Sequence, residues 1–220
     1  MPAAVDFRLY LITDRRQASG GDLLAAVGRA LGGGVRAVQL REKDLGAREL
    51  LELARKMREL TFCRGAKLLI NDRVDIALAA GADGVHLGGA SMHPEDARRL
   101  LGRGMLIGCS THSAEEVAAA ERGGADFVTF GPVFATPSKA AYGPPVGVDA
   151  LRRACAAARI PVFALGGMGK RNVSEAVAAG ADGVAAISAV LAAEDPGSAA
   201  SEIGDRLAAA FVGKRQGQEG

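Results

Sequence analysis

The chain has 220 residues, 49% of them apolar and 24% charged, an ordinary globular balance with enough length to bury a core without staples. With 27 basic against 25 acidic residues, no Trp, seven Phe and two Tyr, it lacks the basic excess of a phosphate-backbone binder and the aromatics of a base-stacking platform, so nucleic acid is excluded as a partner. No apolar run approaches the ~18 residues of a membrane span, and Cys63, Cys109 and Cys155 form no CxxC and leave an odd count, which suggests reduced thiols in a cytoplasmic protein rather than a disulfide scaffold.

At the start of the chain, Asp6 and Arg8 interrupt the sequence before the apolar stretch of a signal peptide can form. Short runs rich in branched residues then recur at Leu9–Thr13, Ala37–Arg41, Lys67–Asp72, Gly84–Gly88, Leu106–Ser110, Phe127–Gly131, Val162–Gly166 and Gly183–Ile187. Their length and lack of strict alternation suit strands buried on both faces of a parallel sheet. Between most of them lie stretches of helical period. In Ala47–Thr61, for example, Leu50, Leu51, Ala54, Met57 and Leu60 share one face. Asp22 and Ser113 are placed as helix N-caps, and Ser113 with Glu116 has capping-box spacing. The stretch 131–147 has no helical pattern and the length of a binding loop or lid. The polar tail 213–220 is expected to fray.

Glycine is unusually common, with 30 residues against an average usage of about 7%. Part of the excess lies in an internal repeat. Gly81-Ala-Asp-Gly-Val85, Gly124-Ala-Asp-Phe-Val128 and Gly180-Ala-Asp-Gly-Val184 share one pattern, and Gly34-Val-Arg-Ala-Val38 is a looser copy. Each ends a helix with the residue that best tolerates a left-handed cap, just before an even-numbered strand. The chain thus reads as four βαβα quarters. Equivalent quarters favour closure over an open sheet with edges, so the expected fold is an α/β, single-domain (β/α)8 TIM barrel spanning 1–220, lean for a class that averages about 250 residues.

In such a barrel the chemistry sits at the carboxyl ends of the strands. Gln39, Arg41 and Lys43 alternate there and are expected to face the mouth, where two cations and an amide suit a diphosphate. A solvated turn at Arg41, Glu42 and Lys43 is the competing reading. Asp72, beside Asn71, suggests Mg2+, although it would also serve as a helix cap. Gly166 and Gly167 after strand 7, with Ile187 and Ser188 after strand 8, form an expected phosphate site with close backbone approach. Tight turns, with Ser188 as a simple cap, are the alternative there. Thr136, Ser138 and Lys139 add two hydroxyls and a cation, beside Pro137, unless their loop is an inert excursion. Ser110 and His112 follow strand 5, with His112 in a supporting role. His86 reads as structural and Cys109 as a small apolar packer. No activated nucleophile is visible.

Val38-Gln-Leu-Arg-Glu-Lys43, Ile70-Asn-Asp-Arg73, Gly84-Val-His-Leu-Gly88, Gly131-Pro-Val-Phe-x-Thr-x-Ser-Lys139, Leu165-Gly-Gly167 and Gly183-Val-x-x-Ile-Ser188 together resemble the thiamine-phosphate synthase family over nearly the whole chain. The resemblance implies a cytoplasmic transferase that joins two small phosphorylated substrates. These are 4-amino-2-methyl-5-hydroxymethylpyrimidine diphosphate and 4-methyl-5-(2-phosphoethyl)thiazole or its carboxylated precursor. The chemistry implied is dissociative and Mg2+-assisted. On that basis Gln39, Arg41, Glu42, Lys43, Asn71, Ser110 and Lys139 would bind the pyrimidine diphosphate, with Arg41, Lys43 and Lys139 catalytic. Thr136, Pro137, Ser138, Gly166, Gly167, Ile187 and Ser188 would bind the thiazole phosphate. Asp72 would hold Mg2+, and Ser91 stands where the family usually has a second metal-binding Asp. A thiazole tautomerase-like isomerase and a non-catalytic phosphate-binding paralogue are the alternatives, but Pro132 occupies the position of the tautomerase histidine. A homo-oligomer is compatible with the sequence; a membrane partner is not expected.

Overall fold

The computed structural model describes residues 4–136 and 144–216. Eight strands alternate with helices in the order expected: β1 (Leu9–Ile12), α1 (Leu23–Gly32), β2 (Ala37–Leu40), α2 (Ala47–Phe62), β3 (Lys67–Asn71), α3 (Val74–Ala80), β4 (Gly84–Leu87), α4 (Pro94–Leu101), β5 (Leu106–Thr111), α5 (Ala114–Arg122), β6 (Phe127–Phe130), α6 (Gly147–Ala157), β7 (Val162–Leu165), α7 (Val173–Ala178), β8 (Gly183–Ala186), α8 (Ser188–Leu191) and α9 (Pro196–Gln216). All strand pairs are parallel, and β8 closes on β1 with Tyr10 opposite Ala185, giving a barrel. The fold is the single-domain TIM barrel expected. Two short 3-10 turns at Arg15–Gln17 and Ser19–Gly21 enter between β1 and α1, without a signal in the helical or strand patterns.

Strand parity builds two cores. Leu9, Leu11, Leu68, Ile70, Val162 and Ala164 face the helices, whereas Tyr10, Ile12, Leu69, Phe127 and Phe163 fill the barrel interior with Phe7. Four of the few aromatics are thus concentrated inside. Phe7 meets Phe127 edge-on at 5.5 Å and Tyr10 meets Phe127 edge-on at 5.4 Å between ring centres, a favoured aromatic geometry. Gly108 on β5 makes room for them, because a Cβ there would lie 2.4 Å from the Phe127 ring and 2.6 Å from His86 Nδ1.

The quarter repeat has the expected geometry, with Gly34, Gly81, Gly124 and Gly180 all at positive φ. Its aspartates do something the pattern did not reveal. Asp83, Asp126 and Asp182 accept, through Oδ2, the main-chain N–H of Leu68, Ile107 and Val162 at 2.8, 2.7 and 2.9 Å on the preceding strand. Each aspartate's own N–H returns to the carbonyl of that same residue. These pairs tie the amino-terminal rim of the barrel. In the first quarter Arg36 takes this place and donates instead to the Val35 carbonyl.

Asp22 and Ser113 cap α1 and α5 as expected, accepting from Ala25 and Glu116. The capping box is only half formed, since Glu116 receives the N–H of His112 rather than that of Ser113. At the other end of the chain α9 continues to Gln216, into the stretch expected to fray; 217–220 lie outside the described residues. Among the described residues no helix is long and apolar enough to cross a membrane. Cys63, Cys109 and Cys155 are free, and burial raises the Cys109 thiol to about 12, as suits an apolar packer.

Candidate active site

A cavity of about 1550 Å³ opens at the carboxyl ends of the strands. Gln39, Arg41, Lys43, Asn71, Ser110, Thr136, Gly166, Gly167, Ile187 and Ser188 all line it, although β2, β3, β5, β6, β7 and β8 deliver them from well-separated parts of the chain. Pro137, Ser138 and Lys139 lie outside the described residues. The carboxyl ends of parallel strands gather at one rim, so the loops that follow converge there.

Arg41 and Lys43 reach the cavity for a reason other than strand parity. β2 ends at Leu40, so both are loop residues. The Arg41 N–H is anchored on the Thr13 hydroxyl at 2.9 Å. Glu42, expected at the substrate site, is not among the residues that line the cavity. Its buried carboxylate accepts from Thr13 Oγ1 at 2.7 Å, from the Arg15 main chain at 3.1 Å and from the Arg15 guanidinium at 3.1 Å. An anion so placed braces the loop after β1. Asp44 completes the brace by receiving Arg15 in a two-pronged bond at 2.6 and 2.8 Å, and these bonds hold its carboxyl well below the ordinary range.

Asp72 has φ +60, the one positive value outside glycine among the described residues. Its Oδ2 receives the Asn71 amide at 2.7 Å, and its Oδ1 receives the Gly88 N–H at 3.3 Å and the Ser91 hydroxyl. It does not cap α3, whose N-cap is Arg73 with no side-chain cap bond. The carboxylate therefore stands in a strained backbone position at the end of β3, directly against Ser91. Such strain is commonest at functional sites. Among the described residues no three His, Cys, Asp or Glu gather in a metal-binding group. One carboxylate with a hydroxyl beside it still fits Mg2+, which commonly takes one or two protein carboxylates and completes its shell with water and substrate phosphate.

Also lining the cavity, Gly166 and Gly167 have φ +93 and +64, and a Cβ on them would meet Pro132 and Ala135 at 2.5 and 2.6 Å. Only glycine fits that turn. Asn172 fastens it, accepting from Gly169 N–H at 2.9 Å and donating to the Gly167 carbonyl at 3.0 Å. Ser188 begins α8, and Ile187 is the N-cap, so Ser188 is not a simple capping residue. Helix starts leave main-chain N–H groups without helical partners, next to the glycine turn.

The cavity floor includes His86, which the sequence reads as structural, and residues that the sequence pattern did not single out. His86 is buried between Tyr10 and Ser110, and burial pushes its pKa down to about 3, with Asp72 opposing and Arg41 reinforcing the shift. It is therefore neutral at physiological pH, as a floor residue rather than a charged one. Asp14, Gln17, Thr129 and Asn172 also line the cavity. Tyr10 and Thr129 read as ordinary strand residues in sequence; only the inward parity of β1 and β6 marks them. His112 lines the cavity too, with Nδ1 on the Gly131 carbonyl.

A family model described as thiamine monophosphate synthase matches residues 9–190. The chain is 66% identical over 194 residues to a Geobacter sulfurreducens protein provisionally named a thiamine-phosphate synthase, covering 88% of this chain and 91% of that one. It is 45% identical to the thiamine-phosphate synthase of Moorella thermoacetica, over 89% of this chain and 93% of the relative. Among solved structures it resembles thiamine phosphate pyrophosphorylase from Pyrococcus furiosus, with TM-score 0.85, 39% identity, and coverage of 93% of this chain and 96% of that one. With the barrel, the cationic wall and the glycine turn all in one cavity, the chain belongs to the thiamine monophosphate synthase family.

Proposed function

We propose that the protein is a thiamine-phosphate synthase, a transferase that joins 4-amino-2-methyl-5-hydroxymethylpyrimidine diphosphate to 4-methyl-5-(2-phosphoethyl)thiazole, or its carboxylated precursor, and releases diphosphate. The observation that carries this reading is one cavity lined both by cations and by a glycine turn beside a helix start. Arg41 and Lys43 after β2, and the Gly166–Gly167 turn after β7 with Ser188 after β8, are separate groups that line the same cavity. Two anionic substrates need two such subsites.

Gln39, Asn71 and Ser110 orient the pyrimidine, and Arg41 and Lys43 grip its diphosphate. Asp72 and Ser91 would hold Mg2+, which when bound supplies positive charge to the diphosphate oxygens. In the reaction the bond between the pyrimidine methylene carbon and the diphosphate oxygen breaks, and its electron pair leaves with the diphosphate. Arg41 and Lys43, with Lys139, stabilise the charge that develops there. Main-chain N–H groups near Gly167 and Ser188, with the Thr136 hydroxyl, hold the thiazole phosphate so that the ring nitrogen faces the cationic methylene. The nitrogen lone pair then forms the new carbon–nitrogen bond. No side-chain nucleophile is required, in keeping with a floor made of a neutral His86 and hydroxyls.

The test is incubation of the purified protein with both substrates and Mg2+, followed by chromatography for thiamine phosphate. Product is expected, and its absence under conditions where a known synthase works would sink the reading. Turnover of the thiazole carboxylate isomer alone, without pyrimidine or metal, would indicate the tautomerase-like alternative. Ligand-induced stabilisation without any turnover would indicate a binding paralogue.

A further inference from the structure

Under the cavity, side chains from β2, β1, β4 and β5 form one hydrogen-bonded chain inside the barrel. Gln39 Nε2 donates to the Tyr10 hydroxyl at 3.2 Å. That hydroxyl lies 3.3 Å from His86 Nδ1, and His86 Nε2 lies 3.1 Å from Ser110 Oγ and 3.4 Å from Thr129 Oγ1. Gln39, Tyr10, His86 and Thr129 are buried and Ser110 is half-buried; all of them except Tyr10 line the cavity.

Proton counting gives this chain a direction. A phenol has one proton. The Tyr10 oxygen already accepts from Gln39, so its proton goes to His86 Nδ1, its other partner. The imidazole is buried and its ring nitrogens meet only hydroxyls, with no carboxylate to pair a cation, so it carries one proton, which must then sit on Nε2. That N–H donates to Ser110 Oγ, the nearer of the two hydroxyls. The Ser110 oxygen has no further partner among the described residues, so its own proton is left for the cavity.

We propose that His86 is a positioning residue, which with Tyr10 behind it holds the Ser110 hydroxyl as a hydrogen-bond donor aimed into the cavity. The ligand atom selected is an acceptor on the pyrimidine diphosphate. A pyrimidine bearing a donor at that point would leave two donors face to face and an unpaired polar group in a half-buried site, which is the costly arrangement. This part rests on the synthase reading; the direction of the chain does not.

Two measurements test it. In protein labelled with ¹⁵N-histidine and free of substrates, His86, assigned by the loss of its signals in His86→Gln, is expected with Nε2 protonated and Nδ1 bare. The opposite tautomer overturns the proposal, because Gln39 would then accept from Tyr10 and Ser110 would offer the ligand only lone pairs. Tyr10→Phe removes just the hydroxyl and keeps the ring against Phe7, Phe127 and Phe163. It is expected to raise KM for the pyrimidine diphosphate on the order of tenfold, with KM for the thiazole phosphate unchanged. Adding Ser110→Ala to Tyr10→Phe should cost less than the product of the single losses, whereas fully multiplicative losses overturn the coupling. Absence of wild-type turnover would count against the synthase reading, and the tautomer would still decide the direction of the chain.

Discussion

Neighbouring charges in one short loop have opposite tasks. Arg41 and Lys43 face the cavity, while Glu42 between them is buried against Thr13 and Arg15. Their substitutions should therefore fail in different ways. Arg41→Ala is expected to lower turnover on the order of 100-fold or more, as removal of a charge-stabilising donor does, with little change in a urea melt. Glu42→Ala is expected to cost about 2 kcal/mol from the buried Thr13 and main-chain bonds, read in the same melt. Both residues were legible in sequence as charged rim positions. Alternation with Gln39 also pointed Arg41 to the mouth, where it lines the cavity; the partners of Glu42 were not legible, because Thr13 and Arg15 come from the loop after another strand. Ser91 invites a further substitution. Its hydroxyl already lies on Asp72, so Ser91→Asp would place two carboxylates together. The Mg2+ concentration needed for half-maximal activity should fall, and the metal-free protein should lose stability by like-charge repulsion; an unchanged Mg2+ titration would remove Ser91 from the metal site.

At the scale of the element, every strand was found from its apolar run, with ends within a residue of those observed. The reason is that parallel barrel strands are buried on both faces, a condition that writes itself into consecutive residues. The repeat glycines were equally legible, since a left-handed cap is a local demand. The repeat aspartates were not understood, because their partners are N–H groups 15 to 20 residues away on another strand. Asp83 and Asp126 also pair with Arg58 and Arg98, so Asp182 gives the cleaner test. Asp182→Ala should destabilise the barrel by about 1–2 kcal/mol with turnover per folded molecule unchanged, and Asp182→Asn, which keeps an acceptor, should recover most of the loss in the same denaturation experiment.

For the molecule as a whole, the buried His86 couples the cavity floor to folding. Its folded pKa of about 3 lies below the ordinary 6.5, so the unfolded chain takes up a proton in that interval and the folded chain does not. Stability is complete above about pH 6.5 and declines as pH falls towards 3, at up to about 1.4 kcal/mol per pH unit. Denaturant melts between pH 7 and 5 should show this decline, and His86→Gln should flatten it in that range, above the region where most carboxylates titrate.

By itself the sequence determined the barrel, its quarters, its helix caps and the set of loops that would meet at one rim. Those properties rest on local rules of burial, period and backbone conformation that adjacent residues can satisfy or break. Only the tertiary structure decided that Glu42 turns away from the cavity, that Asn172 fastens the glycine turn, and that Tyr10, His86 and Ser110 join in a directed chain. Each depends on side chains far apart in sequence meeting within hydrogen-bond distance. A hydrogen bond works over a few ångströms and needs a specific partner and angle, so it becomes visible only when the closed barrel brings its strands around a common interior.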